Sequence, residues 1–292
     1  MSGGLTNTSY WRKDRFYYSG DKQVSSKKHY LGGNLKAGLN YNLDEYNNVF
    51  FNTGFISRAP IFDNTFINSQ SSHERNPDAK NEKVYSFELG YGYRSHYFTA
   101  NVNAYYTMWK DKALYDTGSY EDANGASQRW TMNMSGAQAN HMGIELDFIA
   151  KPFRWMEVNG MFSWGDWRWN GTAKGFMMNT EGQIMANSRG EIATDMNNVD
   201  QYKYTIKMDN VQVGGSAQTT AALGLTFRPL KGLRLNADWN SLRATMLTMI
   251  LMRVRLPRKM LMWWKNLGRF LRGVHLMLVQ GILLIWVRYV LH

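Results

Sequence analysis

The sequence predicts an all-β protein, an antiparallel transmembrane β-barrel fragment with about nine long strands in an open sheet. Apolar and polar residues alternate with a period of two along most of the first 240 residues. The predicted strands run to roughly 9–15 residues, whereas strands of soluble domains cluster near about 5–6, and a tilted strand needs about 9–11 to cross a bilayer. A soluble β-sandwich with one solvated face is the alternative, but strand length and the aromatic content of 14% favour the barrel.

The strands follow one another along the chain from Thr8 to residue 240. In YSFELGYGYRS, Phe87 and Leu89 lie on one face and Glu88 and Arg94 on the other. Further alternating segments are LKAGLNYNL (35–43), NVFFNTGFIS (48–57), YFTANVNAYYTMW (97–109), HMGIELDFIA (141–150), TTAALGLTF (219–227) and GLRLNADWN (232–240). The polar faces are predicted to line a wet lumen, with Glu88, Arg94, Asn101, Asn103, Glu145 and Asp147 as lining residues.

The connections alternate between short and long, as in an up-and-down membrane barrel with short periplasmic turns and long extracellular loops. The short ones are 42–47, 94–97, 151–155 and 228–232; the long ones are 59–82, 110–138 and 169–216. Binding residues concentrate on long loops that a rigid scaffold holds. The predicted ligand contacts are therefore Phe62, Asp63 and Asn64 in the first long loop, with Trp167 and Trp169 in a Trp-rich loop at 164–172. An aromatic girdle at the membrane interface is the alternative for the tryptophans.

Composition excludes several other classes of function. Cysteine is absent, so a disulfide framework and a thiolate metal site are excluded. The pI of 9.6 raises nucleic acid as a partner, but the first 240 residues carry 25 Lys or Arg against 23 Asp or Glu, and no nucleic acid is expected. No phosphate-binding or nucleotide-binding glycine motif and no histidine pairing occurs, so we expect no enzyme, no cofactor and no metal. Two weaker alternatives are a carboxylate pair at Glu145 and Asp147 and an oxygen-rich Ca²⁺ loop at 195–200.

The tail differs chemically from the body. Residues 241–292 contain no Asp or Glu but nine Lys or Arg, twelve Leu and six Met. One interpretation is a native tail with a membrane helix at 275–291; the other is a frameshift product, because the shifted frame permits acidic, alternating strings. The second is favoured. It divides the chain into a partial barrel, 1–240, and a non-native tail, 241–292, for which helix is expected because Leu, Met, Lys and Arg favour helix.

Two stretches resemble a known family: NVFFNTGFISRAPIFDN (48–64) and NPDAKNEKVYSFELGYGYRSHYFTANVNAYYTMWKDKAL (76–114). They look like the C-terminal barrel of a TonB-dependent receptor of the Bacteroidetes type, and the resemblance covers about residues 8–240. It implies an outer-membrane barrel of about 22 strands with an N-terminal plug. Such a receptor contacts outer-membrane lipid, binds a small nutrient and takes energy from TonB.

The chain departs from that pattern at its start. MSGGLTNTSYWRKDR has no apolar signal region, and no TonB box, plug or first half of the barrel is found. The full-length protein is expected in the outer membrane of a Gram-negative cell, and the chain alone is not expected to transport. A passive porin-like channel and a surface adhesin barrel stay as alternatives.

Overall fold

The computed structural model describes residues 1–70, 72–122, 124–242, 247–255, 274–279 and 282–290; side chains are described up to residue 242, except at 196 and 197. The long strands are β1 (Ser2–Tyr10), β2 (Lys28–Asn42), β3 (Asn47–Arg58), β4 (Glu82–Arg94), β5 (Phe98–Glu121), β6 (Ser127–Phe153), β7 (Met156–Asn170), β11 (Thr219–Leu230) and β12 (Leu233–Leu242). Shorter ones are β8 (Thr172–Asn179), β9 (Tyr204–Lys207) and β10 (Val211–Gln212). The tail contains β13 (Leu247–Arg255), β14 (Val274–Val279) and β15 (Ile282–Val290). A four-residue helix α1 (Phe62–Thr65) and two 3-10 helices, Gly20–Gln23 and Met196–Tyr202, complete the elements.

These strands form one antiparallel sheet in the order β1-β2-β3-β4-β5-β6-β7-β11-β12-β13-β15-β14. β10 pairs with β7, β8 with β6 and β9 with β8. The path has ends at β1 and β14, so the sheet is open in the described chain. The predicted all-β class, the antiparallel pairing and the nine long strands before the tail are confirmed, although the first strand begins at Ser2 instead of Thr8.

Alternation along the strands places the apolar residues on one face of the sheet and the polar residues on the other. Directly opposite residues of an antiparallel pair share a face, and Leu39 stands opposite Phe51, which stands opposite Leu89. These three are exposed. A face of exposed Leu, Phe and Tyr is the one that a bilayer covers in a membrane barrel. The other face carries the polar row described below.

Three of the predicted loop segments are wrong in part. The segment 110–138 is mostly strand, because β5 and β6 continue to pair as far as Glu121 opposite Ser127. The register shifts between Trp109 and Leu114, where Asp111 has a φ of 55°, and this bulge lets the ladder bend and continue. The Trp-rich loop at 164–172 is also strand for most of its length, since β7 runs to Asn170. The segment 169–216 contains β8, β9 and β10.

The helical tail is wrong for Leu247–Arg255, Val274–Val279 and Ile282–Val290, which are strands. β13 pairs with β12 from Leu247 opposite Leu242 to Arg255 opposite Arg234. The unpaired backbone groups of β12 are a template for a further strand, and the Ile, Val, Trp and Tyr of 282–290 favour strand over helix. The rest of the tail lies outside the described residues. Among the residues that the structure describes, no helix is long and apolar enough to cross a bilayer.

The buried apolar core lies beside the long connections. We call the segments 59–82, 110–138 and 171–218 the loop layer; they lie at the end of the sheet that is extracellular in such barrels. A methionine-rich cluster fills it, with Met132, Met134, Ala137, Ala173, Met177, Met185 and Met208 as its buried members. Methionine is flexible and fills irregular gaps. The loop layer is therefore a packed structure on top of the sheet.

Candidate functional site

A cavity of about 820 Å³ opens on the polar face of β2 to β7. Its polar lining includes Lys36, Asn52, Glu88, Asn103, Thr107 and Glu145, and its aromatic lining includes Tyr105, Trp109, His141 and Trp167. The size falls within the range of small-molecule sites, about 300–1,000 Å³. We call it the wall cavity.

A row of amides and carboxylates crosses the floor of the wall cavity. Asn103 donates through Nδ2 to Glu88 Oε1 at 3.0 Å and to Glu145 Oε2 at 3.2 Å. Asn52 donates to the other oxygen of Glu88 at 3.1 Å. Among the described residues, neither glutamate has an ion pair within 4.0 Å. The row holds two carboxylates in place through neutral amides, and it presents acceptors to whatever fills the cavity.

Aromatic side chains form the upper part of the wall cavity. Trp167 on β7 donates through Nε1 to the hydroxyl of Tyr105 on β5 at 2.9 Å. The ring of His141 on β6 packs edge-on against Trp167, with centroids 5.5 Å apart. Gly143 on β6 leaves room for the contact between Trp167 and Tyr105, since a Cβ there would lie 2.6 Å from the Tyr105 hydroxyl. The absence of a side chain on β6 thus lets two rings meet across it.

Trp109 closes the cavity toward the loop layer. Lys112 Nζ lies 3.6 Å from the centre of its ring and the Arg58 guanidinium 5.2 Å, so two cations contact one indole. Glu82 is buried and holds this cluster together, because one of its oxygens accepts from Arg58 at 2.9 Å and the other from the Ala113 N–H at 3.0 Å. The indole N–H of Trp109 is buried without a hydrogen-bond partner among the described residues.

The six predicted lining residues lie on this face in two groups. Glu88, Asn103 and Glu145 belong to the wall cavity. Arg94 and Asn101 line a second cavity of about 380 Å³ beside the turn after β2, and Asp147 accepts from Asn101 at 3.0 Å. That these residues face a water-filled lumen stays a prediction.

The turn beside this second cavity is held by Asp44. Its carboxylate accepts from the backbone N–H of Tyr46 at 2.7 Å and from the backbone and side chain of Asn47. These hydrogen bonds, with that of Tyr46 the largest cause, lower the pKa of Asp44 below its ordinary value. The turn therefore keeps its negative charge at mildly acidic pH.

The five predicted ligand contacts are separated by the fold. Trp167 lies in the wall cavity, but Trp169, two residues further along β7, packs against the methionine-rich cluster. Asn64 is 1% exposed and donates to the Met134 carbonyl at 3.0 Å, so it joins α1 to β6 and is inaccessible to a ligand in this structure. Phe62 and Asp63 lie outside the wall cavity. Phe62 is exposed on the outer surface of α1, and the Asp63 carboxylate accepts a hydrogen bond from the Ser69 hydroxyl at 2.5 Å.

Two polar clusters join the long connections to one another. Arg12, between β1 and β2, donates through Nε to the Ser69 carbonyl at 2.7 Å and forms an ion pair with Asp14. Lys203 bonds Asp78 at 2.7 Å and Asp200 at 2.9 Å, and so joins two long connections. Burial lowers the pKa of Lys203, but the two carboxylates outweigh it and the net pKa lies above the ordinary lysine value.

Sequence reasoning missed Tyr105, Trp109 and His141. Each has the same parity as a predicted lining residue of its own strand, Asn103 for the first two and Glu145 for the third, so alternation alone could have found them. Chemically, stacking rings above fixed amides and carboxylates suit binding of a small polar molecule. Among the described residues, no group of three or more acidic or histidine side chains could hold a metal ion.

The comparison with family models agrees with this architecture. The family model described as TonB dependent receptor-like, beta-barrel matches residues 2–253. No match was found among curated proteins. Among solved structures, the chain is similar to "Copper transporter OprC", with 15% identity and a TM-score of 0.43, over 82% of this chain and 38% of that one. The chain thus spans well under half the length of that structure. By the match over most of its length, the chain belongs to the family of TonB-dependent receptor β-barrels.

Proposed function

We propose that the chain is part of the wall of an outer-membrane receptor that takes up a small nutrient with energy from TonB. The family match supports the receptor class and its outer-membrane place. The nutrient is a siderophore, a vitamin, a glycan or a peptide. The alternatives are a passive channel and a surface adhesin.

The wall cavity is the proposed ligand site, and the Trp109 indole carries that assignment. Buried N–H groups are nearly always hydrogen-bonded, yet the indole N–H of Trp109, whose side chain lines the cavity of about 820 Å³, has no partner among the described residues. A ligand that shifts the Trp109 ring on binding would bring an acceptor to this N–H. The rings of Trp167 and Tyr105 would then cover the ligand, and the Glu88–Asn103–Glu145 row would bind its polar groups.

The experiment is an uptake assay in cells that carry the complete receptor, with panels of iron-loaded siderophores, cobalamin, oligosaccharides and oligopeptides. An energised receptor stops importing when a protonophore collapses the proton gradient, whereas a passive channel continues. Surface binding without uptake would favour the adhesin. Trp109→Phe keeps the ring between Arg58 and Lys112 but removes the N–H, and it should weaken binding about tenfold, the loss expected for one hydrogen bond. Unchanged affinity would remove Trp109 from the site.

A further inference from the structure

A second candidate site lies at the opposite end of the sheet, where the short turns meet. A cavity of about 340 Å³ lies between three neighbouring hairpins, and its lining includes His96, Lys151, Phe153, Arg154, Glu157 and Arg228. Short turns are periplasmic in barrels of this kind. We call this cavity with its surrounding side chains the turn site.

Backbone hydrogen bonds hold the three hairpins together. The Lys151 N–H donates to the Tyr97 carbonyl at 2.7 Å, and the Arg228 N–H donates to the Trp155 carbonyl at 2.7 Å. These bonds join the β4–β5 turn to the β6–β7 turn and the latter to β11. The backbone positions of Lys151, Arg154 and Arg228 are therefore held around one cavity.

The turn site is positively charged. Lys151, Arg154 and Arg228 contribute three cations, against one carboxylate from Glu157. Glu157 lies 3.8 Å from the Lys151 ammonium, and among the described residues neither arginine has an ion pair. All three cationic residues are exposed. Two guanidinium groups without partners are suited to bind phosphate oxygens, with which arginine forms paired hydrogen bonds.

Aromatic rings lie beside these charges. Trp155 stacks on Phe153 with centroids 4.7 Å apart and meets Phe227 edge-on at 5.1 Å. Phe227 stands opposite Met156, and the face that they share continues through Leu225 opposite Val158, which is the apolar face of the sheet. Phe153 and Trp155 are exposed, at 55% and 41%. Aromatic side chains of this kind lie at the level of lipid head groups in membrane barrels.

We propose that the turn site binds an anionic glycerophospholipid of the inner leaflet of the outer membrane. The rings of Phe153 and Trp155 contact the glycerol and upper acyl carbons, and Arg154 and Arg228 bind the head-group phosphate. Charge complementarity and the continuity with the apolar face favour a lipid over a free anion. The neighbouring β2–β3 turn, at the same end of the sheet, carries Asp44 and Glu45 instead. The positive charge is therefore confined to the turn site and does not extend along this whole end of the sheet.

The test uses quenching of Trp155 by brominated lipids in vesicles that contain the refolded full chain. Brominated phosphatidylglycerol is compared with brominated phosphatidylcholine at equal mole fraction, each diluted in unbrominated phosphatidylcholine. The contribution of Trp155 is the difference between the parent and Trp155→Phe, which keeps a ring in the stack. We expect the anionic lipid to quench Trp155 more, and high salt to reduce the excess.

The variant Lys151→Gln/Arg154→Gln/Arg228→Gln should abolish the excess, since each basic residue changes local anionic-lipid enrichment by up to about fivefold. The matched control, Lys13→Gln/Lys22→Gln/Lys27→Gln at the other end of the sheet, should keep it. If the triple variant does not fold, Arg154→Gln alone, at an exposed turn position, should reduce the excess. Equal quenching by both lipids, an excess that survives in the variants, or complete displacement by inorganic phosphate would overturn the proposal.

Discussion

The indole nitrogen of Trp167 lies 2.9 Å from the hydroxyl of Tyr105, and this hydrogen bond joins β7 to β5 across β6. Trp169 has the same parity on β7, yet it packs in the methionine-rich cluster. Two tryptophans that look equivalent in the sequence thus have different surroundings, and the difference can be measured.

Trp167→Ala should weaken ligand binding in the complete receptor and leave the loop layer folded. Trp169→Ala should do the reverse, because it removes a partly buried ring from the methionine-rich cluster. Its cost should stay below the roughly 3–5 kcal/mol of a fully buried aromatic. Ligand titration and hydrogen exchange of 171–218 measure the two effects. Equal loss of affinity in both variants would contradict the assignment.

Gly143→Ala should separate the ring of Trp167 from that of Tyr105. A Cβ at Gly143 would lie 2.6 Å from the Tyr105 hydroxyl and would also collide with the Trp164 carbonyl, which belongs to the backbone and moves less easily. Overpacking of this kind costs about 1–3 kcal/mol. Gly214→Ala is the matched control, because a Cβ there has no neighbour within 4 Å. Near-ultraviolet circular dichroism should change for the first variant only; an unchanged spectrum would mean that the sheet moves to accept the methyl group.

Asn64→Ala should loosen the loop layer. The Asn64 amide donates to the Met134 carbonyl at 3.0 Å and to Ser135 Oγ at 3.1 Å, and its removal takes a buried donor from both, although Asn76 still donates to Ser135 Oγ at 3.3 Å. The expected cost is about 1–3 kcal/mol. Hydrogen exchange of 59–82 should speed up, whereas Asn40→Ala, at an exposed position on β2, should leave that segment unchanged. Unchanged exchange in both variants would show that α1 is held by its other contacts.

Lys203 should stabilise the loop layer in a pH-dependent way. Its pKa is raised in the folded protein, so its contribution is complete below the ordinary lysine value of 10.5 and is lost as the pH rises through the raised pKa. Since Asp200 is well exposed, the contribution should be at most about 1 kcal/mol. The unfolding midpoints of the parent and Lys203→Met should differ at neutral pH and converge at high pH. A difference that does not change with pH would point to lost packing of the aliphatic part of the side chain and not to the lost charge.

The sequence was sufficient to predict the strands and the face on which each side chain lies, but not which side chains of neighbouring strands are in contact. Alternation in 85–95 and 97–109 places Glu88 and Asn103 on one face without any structure. Their contact, however, depends on register. Asn103 stands directly opposite Glu145 on β6, but on β4 it stands opposite Gly90, so Glu88 is a diagonal neighbour two positions away. The loop layer was harder still. Met132 and Met134 alternate with polar residues in TMNMS, but the signal is short, and the third strand that completes their burial, β8, follows after β7.

The last prediction concerns the tail, which we propose is read in a shifted frame from about residue 241. The backbone of 247–255 pairs with β12 in full register, and pairing of this kind needs only free backbone groups on an edge strand. A strand there is therefore compatible with a foreign sequence. What favours the shifted frame is composition, since residues 241–292 contain nine Lys or Arg and no Asp or Glu. Sequencing the encoding DNA gives the restored frame. The restored chain should protect the amides of Leu233–Leu242 from exchange more strongly than the present one, and should place acidic residues in the strand that follows. A stop codon in the shifted frame, or stronger protection in the present chain, would mean that residues 241–292 are native.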